Sequence, residues 1–165
     1  MRKVASFITL TALSIATVVA LSNTKTTEER LLTDAERLYN AVQRYSVKYK
    51  IPIHVAFNVA NIETGYRGPC HVSYNPRQTS HCGALGPMQI MPQWASHYAG
   101  YKVTKKELRD SIELNVEISM KILADNFKRT KSWKRAAGKY NTGKPVINSY
   151  ARKAVVKNYT KNWIE

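Results

Sequence analysis

The sequence predicts a mostly α-helical single domain with an irregular, loop-rich lobe inserted after its second helix. Three observations carry this reading. Apolar residues recur at helical spacing through most of residues 28–159. Gly, Pro and Asn crowd into one internal stretch, 65–86. A chain of 165 residues is long enough to bury one core without metals or several disulfides.

The chain opens with Arg2 and Lys3 ahead of an uncharged apolar run, 4–21, with Val18-Val19-Ala20 as a cleavage site that ends on a small residue. This pattern predicts that residues 1–22 are a secretory signal or a retained N-terminal membrane anchor. Either way the positive residues stay on the cytoplasmic side, and the domain, 23–165, faces outward. Thr26 and Glu29 have capping-box spacing. The stripe Leu32, Ala35, Leu38, Tyr39, Val42, Ser46 and Tyr49 then predicts a first helix over 28–49.

Pro52 suits the first turn of a second helix, where its missing N–H costs nothing. This helix is nearly devoid of charge until Glu63 and stops at Gly65. After the irregular 65–86 stretch, a short helix is expected over 92–98, ending near Gly100. Thr104 can cap the next one, with Leu108, Ile112, Val116, Met120, Leu123 and Phe127 on a single face. Two more helices are expected, over 133–140 and 145–159. The last carries Ile147, Tyr150, Ala151, Ala154 and Val155 as its apolar side.

The charge balance restricts the function. Lys and Arg number 26 against 11 Asp and Glu, a net charge of +15. Such an excess calls for an anionic partner or surface. Combined with export, it favours the cell envelope over nucleic acid, for which no recognition module is present. A periplasmic, envelope or virion location fits, as does a role beside a secretion, conjugation or phage assembly.

Glu63 is the candidate catalytic acid. Its neighbours Val59, Ala60 and Ile62 predict a desolvated carboxyl, and burial raises a carboxyl pKa by disfavouring the charged form. The C-terminal end of a helix pushes the same way. Both effects suit a general acid that must be protonated near neutral pH. The remaining candidates, Glu107, Asp110, Glu113, Glu117 and Asp125, interleave with Lys105, Lys106, Arg109 and Lys121 as a solvated face does. Two-carboxylate glycoside hydrolysis therefore lacks its second partner. A one-carboxylate reaction needs a substrate that supplies its own nucleophile.

Four motifs now stand in order. Glu63, Thr64, Gly65 and Tyr66 resemble a Glu–Ser–Gly–aromatic signature. Residues 75–92, with Asn75, Pro76, Ser80, Gly83, Ala84, Gly86, Met88, Gln89, Ile90, Met91 and Pro92, resemble an Asn–Pro…Ser…Gly–Ala…Gly–Leu–Met–Gln–Ile–Met–Pro block. Leu114, Asn115 and Val116 resemble an Asn–Ile motif, and 140–143 a Tyr–Asn–Ala–Gly motif. Together, over about 50–159, the chain resembles the bacterial and phage lytic transglycosylases with the goose-lysozyme-like fold.

That resemblance implies a lysozyme-like domain acting on peptidoglycan glycan strands. The bond between N-acetylmuramic acid and N-acetylglucosamine would break with closure of a 1,6-anhydro ring. It implies Glu63 as acid and then base, and Ser80 and Tyr140 as hydrogen-bonding groups near the acid or the substrate. It also implies Gln89 and Asn141 as polar cleft positions and Met91 as an apolar platform, with no cofactor and no metal. Three substitutions depart from the family pattern: Thr64 for Ser, Pro87 for Leu, and Thr142 for a small apolar residue. The spacing from Glu63 to Asn75 is also longer than usual, by roughly eight residues.

Cys70 and Cys82 border that longer excursion beside His71 and His81. Adjacent Cys–His ligands make poor zinc geometry, and an exported chain favours a Cys70–Cys82 disulfide. Tyr66 and Tyr74 are expected as walls of a sugar subsite. Trp94, Tyr98, Tyr101 and Trp133 read as core aromatics, His54 as a core histidine and His97 as a surface one. Arg152, Lys153, Lys157 and Lys161 form a basic face able to contact phosphate-rich wall polymers.

Overall fold

The computed structural model describes residues 31–157. The expected signal or anchor, the Thr26 capping box and Lys161 lie outside them. Among the described residues there are seven helices: α1 (Asp34–Lys48), α2 (Ile53–Thr64), α3 (Pro92–Ala99), α4 (Lys105–Asp110), α5 (Ile112–Thr130), α6 (Trp133–Thr142) and α7 (Ser149–Ala154). None of these is long and apolar enough to cross a membrane.

The organising element is α2. Six consecutive residues from Val55 to Ala60 are buried, so this helix is covered on every side. Its neighbours α1 and α7 pack directly on it, while α5 packs against α1 and α6. Leu38 and Val42 of α1, Phe57 and Val59 of α2, and Val116, Met120 and Leu123 of α5 are fully buried in one cluster. Each such side chain contributes about 1.5–3 kcal/mol through burial.

Helix ends follow local chemistry. Pro52 precedes α2, and Gly65 closes it in the left-handed region at φ 69°. The capping box of α1 is formed by Thr33 and Glu36, so this helix begins later than its apolar stripe suggests. The stripe from Leu108 to Phe127 belongs to two helices, not one. Ser111 ends α4 and caps α5, accepting from the Leu114 amide, and its extended backbone turns the chain between them. The last helix is shorter than the apolar pattern predicts, ending at Ala154. The segment before it lays the Val146 backbone on α6, where Gly138 permits close approach. A Cβ on Gly138 would stand 1.8 Å from the Val146 carbonyl oxygen.

Residues 65–91 form the irregular lobe, with isolated antiparallel bridges from Leu85 to Thr79 and to Ile90. Its anchors overturn one expectation. Tyr66 and Tyr74 are buried core residues and not sugar-facing walls. Tyr66 stacks on Phe57 and meets Tyr74 edge-on at 5.0 Å, and its hydroxyl donates to the Ala35 carbonyl. The long excursion after Glu63 is therefore fastened by aromatic packing.

The expected disulfide is absent, which corrects the reading of Cys70 and Cys82. Both are exposed free thiols. Cys70 sits in a turn closed by the His71 amide on the Gly68 carbonyl, and Cys82 in another closed by the Gly83 amide on the Ser80 carbonyl. Each turn is held by its own backbone bonds, and the aromatic anchors supply the bracing a disulfide would have given.

Candidate active site

Glu63 lies in the last turn of α2, one residue before the helix ends. Burial pushes its carboxyl up to about 7, and a hydrogen bond from Tyr150 opposes that shift. The Tyr150 hydroxyl donates to Glu63 Oε1 at 2.6 Å. Among the described residues no cation lies within ion-pair distance of Glu63. Asp34, Asp110, Glu113, Glu117 and Asp125 all have one. Glu36 and Glu107 serve capping boxes. A carboxyl with this environment is protonated near neutral pH and can give up its proton there.

Tyr150 reaches the acid because α7 is tied to α2. Asn58, fully buried in the middle of α2, places its Nδ2 within 3.2 Å of the carbonyls of Lys153, Ala154 and Val156. These carbonyls lie at and just past the C-terminal end of α7, where Lys153 also accepts from the Val156 amide. One side chain thus ties the end of α7 to α2 and fixes Tyr150 beside Glu63.

The loop after the irregular lobe is built by backbone geometry. Leu85 and Ile90 exchange both backbone hydrogen bonds, at 2.9 and 3.0 Å, around a turn closed by the Gln89 amide on the Gly86 carbonyl. The turn needs left-handed backbone at both Gly86 and Gln89, with φ 77° and 48°. Asn115 pins it to α5. Its Nδ2 donates to the carbonyls of Leu85 and Leu108, and its Oδ1 accepts from the Met88 amide. There is no room for a side chain at Gly86, where a Cβ would stand 2.4 Å from Asn115 Nδ2.

This geometry accommodates two of the departures. Pro87 loses no needed donor, since the turn is closed by the amides of Met88 and Gln89. Thr64 uses its hydroxyl as a small polar linker, bonded to the carbonyls of Ala60 and Pro87 and to the Tyr74 hydroxyl.

A cleft of about 560 Å³ opens beside this loop. Gln89, Met91, Tyr140 and Asn141, all expected as cleft positions, line it. Gln89 Nε2 donates to the Gly86 carbonyl at 2.8 Å, which orients the amide. Glu63 is not among the residues that line the cleft, and Tyr140, which lines it, is close enough to feel the Glu63 charge. The Tyr140 hydroxyl lies 2.9 Å from Ser119 Oγ and donates to the Met88 carbonyl at 2.6 Å. Burial, and then the Glu63 charge, hold its pKa well above the ordinary value. Asn141 Oδ1 accepts from Asn148 at 3.0 Å.

Ser80 does not join this group. Its hydroxyl accepts from the Ala84 amide and shapes the turn before Gly83. Trp94, expected as core, is 55 % exposed on the cleft wall, and Tyr101 is also exposed. Trp133 does pack, stacked on Phe127 at 4.0 Å. Asp125, read as part of a solvated face, lines the cleft. Tyr150 and Asn58 went unassigned because both sit at positions that read as helix packing.

A family model described as the transglycosylase SLT domain matches residues 40–163. No curated protein and no solved structure matches the chain.

Proposed function

From a chain that belongs to the transglycosylase SLT domain family, we propose an enzyme that cleaves peptidoglycan between N-acetylmuramic acid and N-acetylglucosamine, using Glu63 as its single acid and base. The observation that carries this is the Glu63 carboxyl itself, partly buried, without a cation among the described residues and with its pKa pushed up to about 7 by desolvation. Glu63 donates its proton to the glycosidic oxygen as the bond from the muramoyl C1 breaks. The muramoyl C6 hydroxyl oxygen attacks C1, and its proton passes to the Glu63 carboxylate. A 1,6-anhydro ring closes, no water is consumed, and the acid is regenerated.

The remaining residues hold the carboxyl and the strand. Tyr150 stabilises the ionised form that follows proton donation, since its O–H donates to the carboxylate. Tyr140 fixes the wall between acid and cleft through Met88 and Ser119. Gln89 and Asn141 offer amide groups to sugar hydroxyls, and Met91 and Trp94 offer apolar surface for sugar rings. The substrate places the enzyme at the cell wall, outside the cytoplasm, and its +15 charge favours that anionic surface.

Mass spectrometry of purified sacculi after digestion tests the reading. Fragments ending in 1,6-anhydro sugar, formed by the wild type and not by Glu63→Gln, are expected. Reducing ends would make the enzyme a hydrolytic muramidase. No products, with wall binding intact, would make it a non-catalytic wall-binding or assembly protein.

A further inference from the structure

The cleft wall carries a charged group that the acid does not use. Arg129 Nε donates to Asp125 Oδ2 at 3.0 Å, and the Tyr98 hydroxyl donates to the same oxygen at 3.2 Å. Lys139 acts on the same carboxylate electrostatically. All four residues line the cleft. Two cations therefore face one carboxylate, leaving an excess positive charge on a wall that otherwise presents amides and rings.

The geometry of Arg129 sets it apart from an ordinary surface pair. Arg37 engages Glu113 through both Nε and Nη2, and so turns its hydrogen-bonding edge toward the protein. Arg129 is held through Nε alone, its side chain 64 % exposed. Its terminal amino groups have no hydrogen-bond partner among the described residues. A guanidinium anchored by one nitrogen keeps a planar pair of donors that matches a carboxylate. An i,i+4 ion pair on α5 would stabilise the helix by a few tenths of a kcal/mol. Helix support alone leaves unexplained why Tyr98 from α3 and Lys139 from α6 converge on the same pair.

We infer that Arg129, oriented by Asp125 and Tyr98 and assisted by Lys139, binds a carboxylate carried by the glycan strand, so that the cleft selects strands by their acidic substituents. Such a carboxylate belongs either to a peptide stem or to the lactyl group left when the stem is removed. The inference rests on the proposed substrate but not on the proposed chemistry.

The test uses the full-length protein on native peptide-bearing strands, on strands freed of peptide by an amidase, and on each of these with carboxylates amidated by carbodiimide coupling. The wild type should favour strands with free carboxylates over their amidated form by about tenfold in kcat/KM, the value of one charge-assisted hydrogen-bonded contact. In Arg129→Gln that ratio should fall toward one. Arg129→Lys should recover part of it, because charge is kept and the donor pair is lost. A preference for native over amidated strands assigns the stem, because the lactyl carboxyl of a peptide-bearing strand is tied up in an amide. A preference for peptide-free strands over their own amidated form, with native and amidated strands alike, assigns the lactyl carboxylate. A preference unchanged in Arg129→Gln, or a wild type indifferent to amidation of both kinds of strand, overturns the inference. Binding of the same strands to Glu63→Gln separates the two claims. If the wild type cleaves nothing, the proposed reaction fails, and the ratio of binding constants with and without Arg129 still decides this one.

Discussion

The Tyr150 hydroxyl donates a hydrogen bond to Glu63 Oε1 at 2.6 Å, across 87 residues of sequence. Burial raises the Glu63 pKa, and Tyr150 partly offsets that rise by favouring the ionised form. The site thus holds an acid that is protonated near neutrality and still tolerates the charge left after it acts.

Replacing Glu63 with Gln should lower kcat/KM by about 10²–10⁴-fold, the usual contribution of a positioned general acid or base. Circular dichroism should show the fold retained, because Gln can still accept from Tyr150.

Tyr150→Phe should move the alkaline limb of the pH–rate profile upward. That limb follows Glu63 losing its proton near pH 7, and the Tyr150 bond lowers this pKa. Its removal raises it, so activity should persist to higher pH while kcat falls. A limb unmoved in this variant would mean that a different group controls it.

The same carboxyl makes folding stability depend on pH. In the folded state it keeps its proton up to about pH 7, whereas the ordinary value is 4.5. Between those values the folded protein binds more protons than the unfolded chain, so stability falls as pH rises through that window. Below it the contribution vanishes, and above it the loss is full, about 3 kcal/mol. Urea unfolding of wild type and Glu63→Gln should reveal the difference. The Gln variant should gain on the wild type between pH 4 and pH 8.

Gly86→Ala should destabilise the domain by about 2–4 kcal/mol, combining left-handed backbone with an overpacked site. The added Cβ meets Asn115, whose amide pins the loop to α5. Thermal unfolding measures the loss. Gly83→Ala is the comparison, because a Cβ there meets nothing within 4 Å and only the backbone cost remains.

What sequence could convey divides along physical lines. The acid-bearing helix was legible because Pro52 and Gly65 punctuate it and Glu63 is its one carboxylate or basic side chain apart from His54. Gln89, Met91, Tyr140 and Asn141 were legible through motif resemblance, and they line one cleft. Tyr150 was not, since beside Ala151 and Ala154 it reads as part of an apolar stripe. Asn58 was hidden the same way, because its partners are carbonyls nearly a hundred residues away. Asp125 read as part of a solvated face, and only the packing of α3 and α6 against α5 makes it and Arg129 part of a cleft. Tyr66 and Tyr74 misled in the other direction. Loop residues beside an acid suggested sugar contacts, but the long excursion needed its own anchors, and these two rings supply them.

The central claim is that burial keeps one carboxyl protonated at neutral pH. Titration of the side-chain carboxyl carbons by ¹³C NMR, with Glu63 assigned by difference against Glu63→Gln, tests it most directly. A midpoint near 7 is the predicted result. A midpoint at or below the ordinary 4.5 would contradict the account, since Glu63 would then be ionised at neutral pH and unable to serve as the acid.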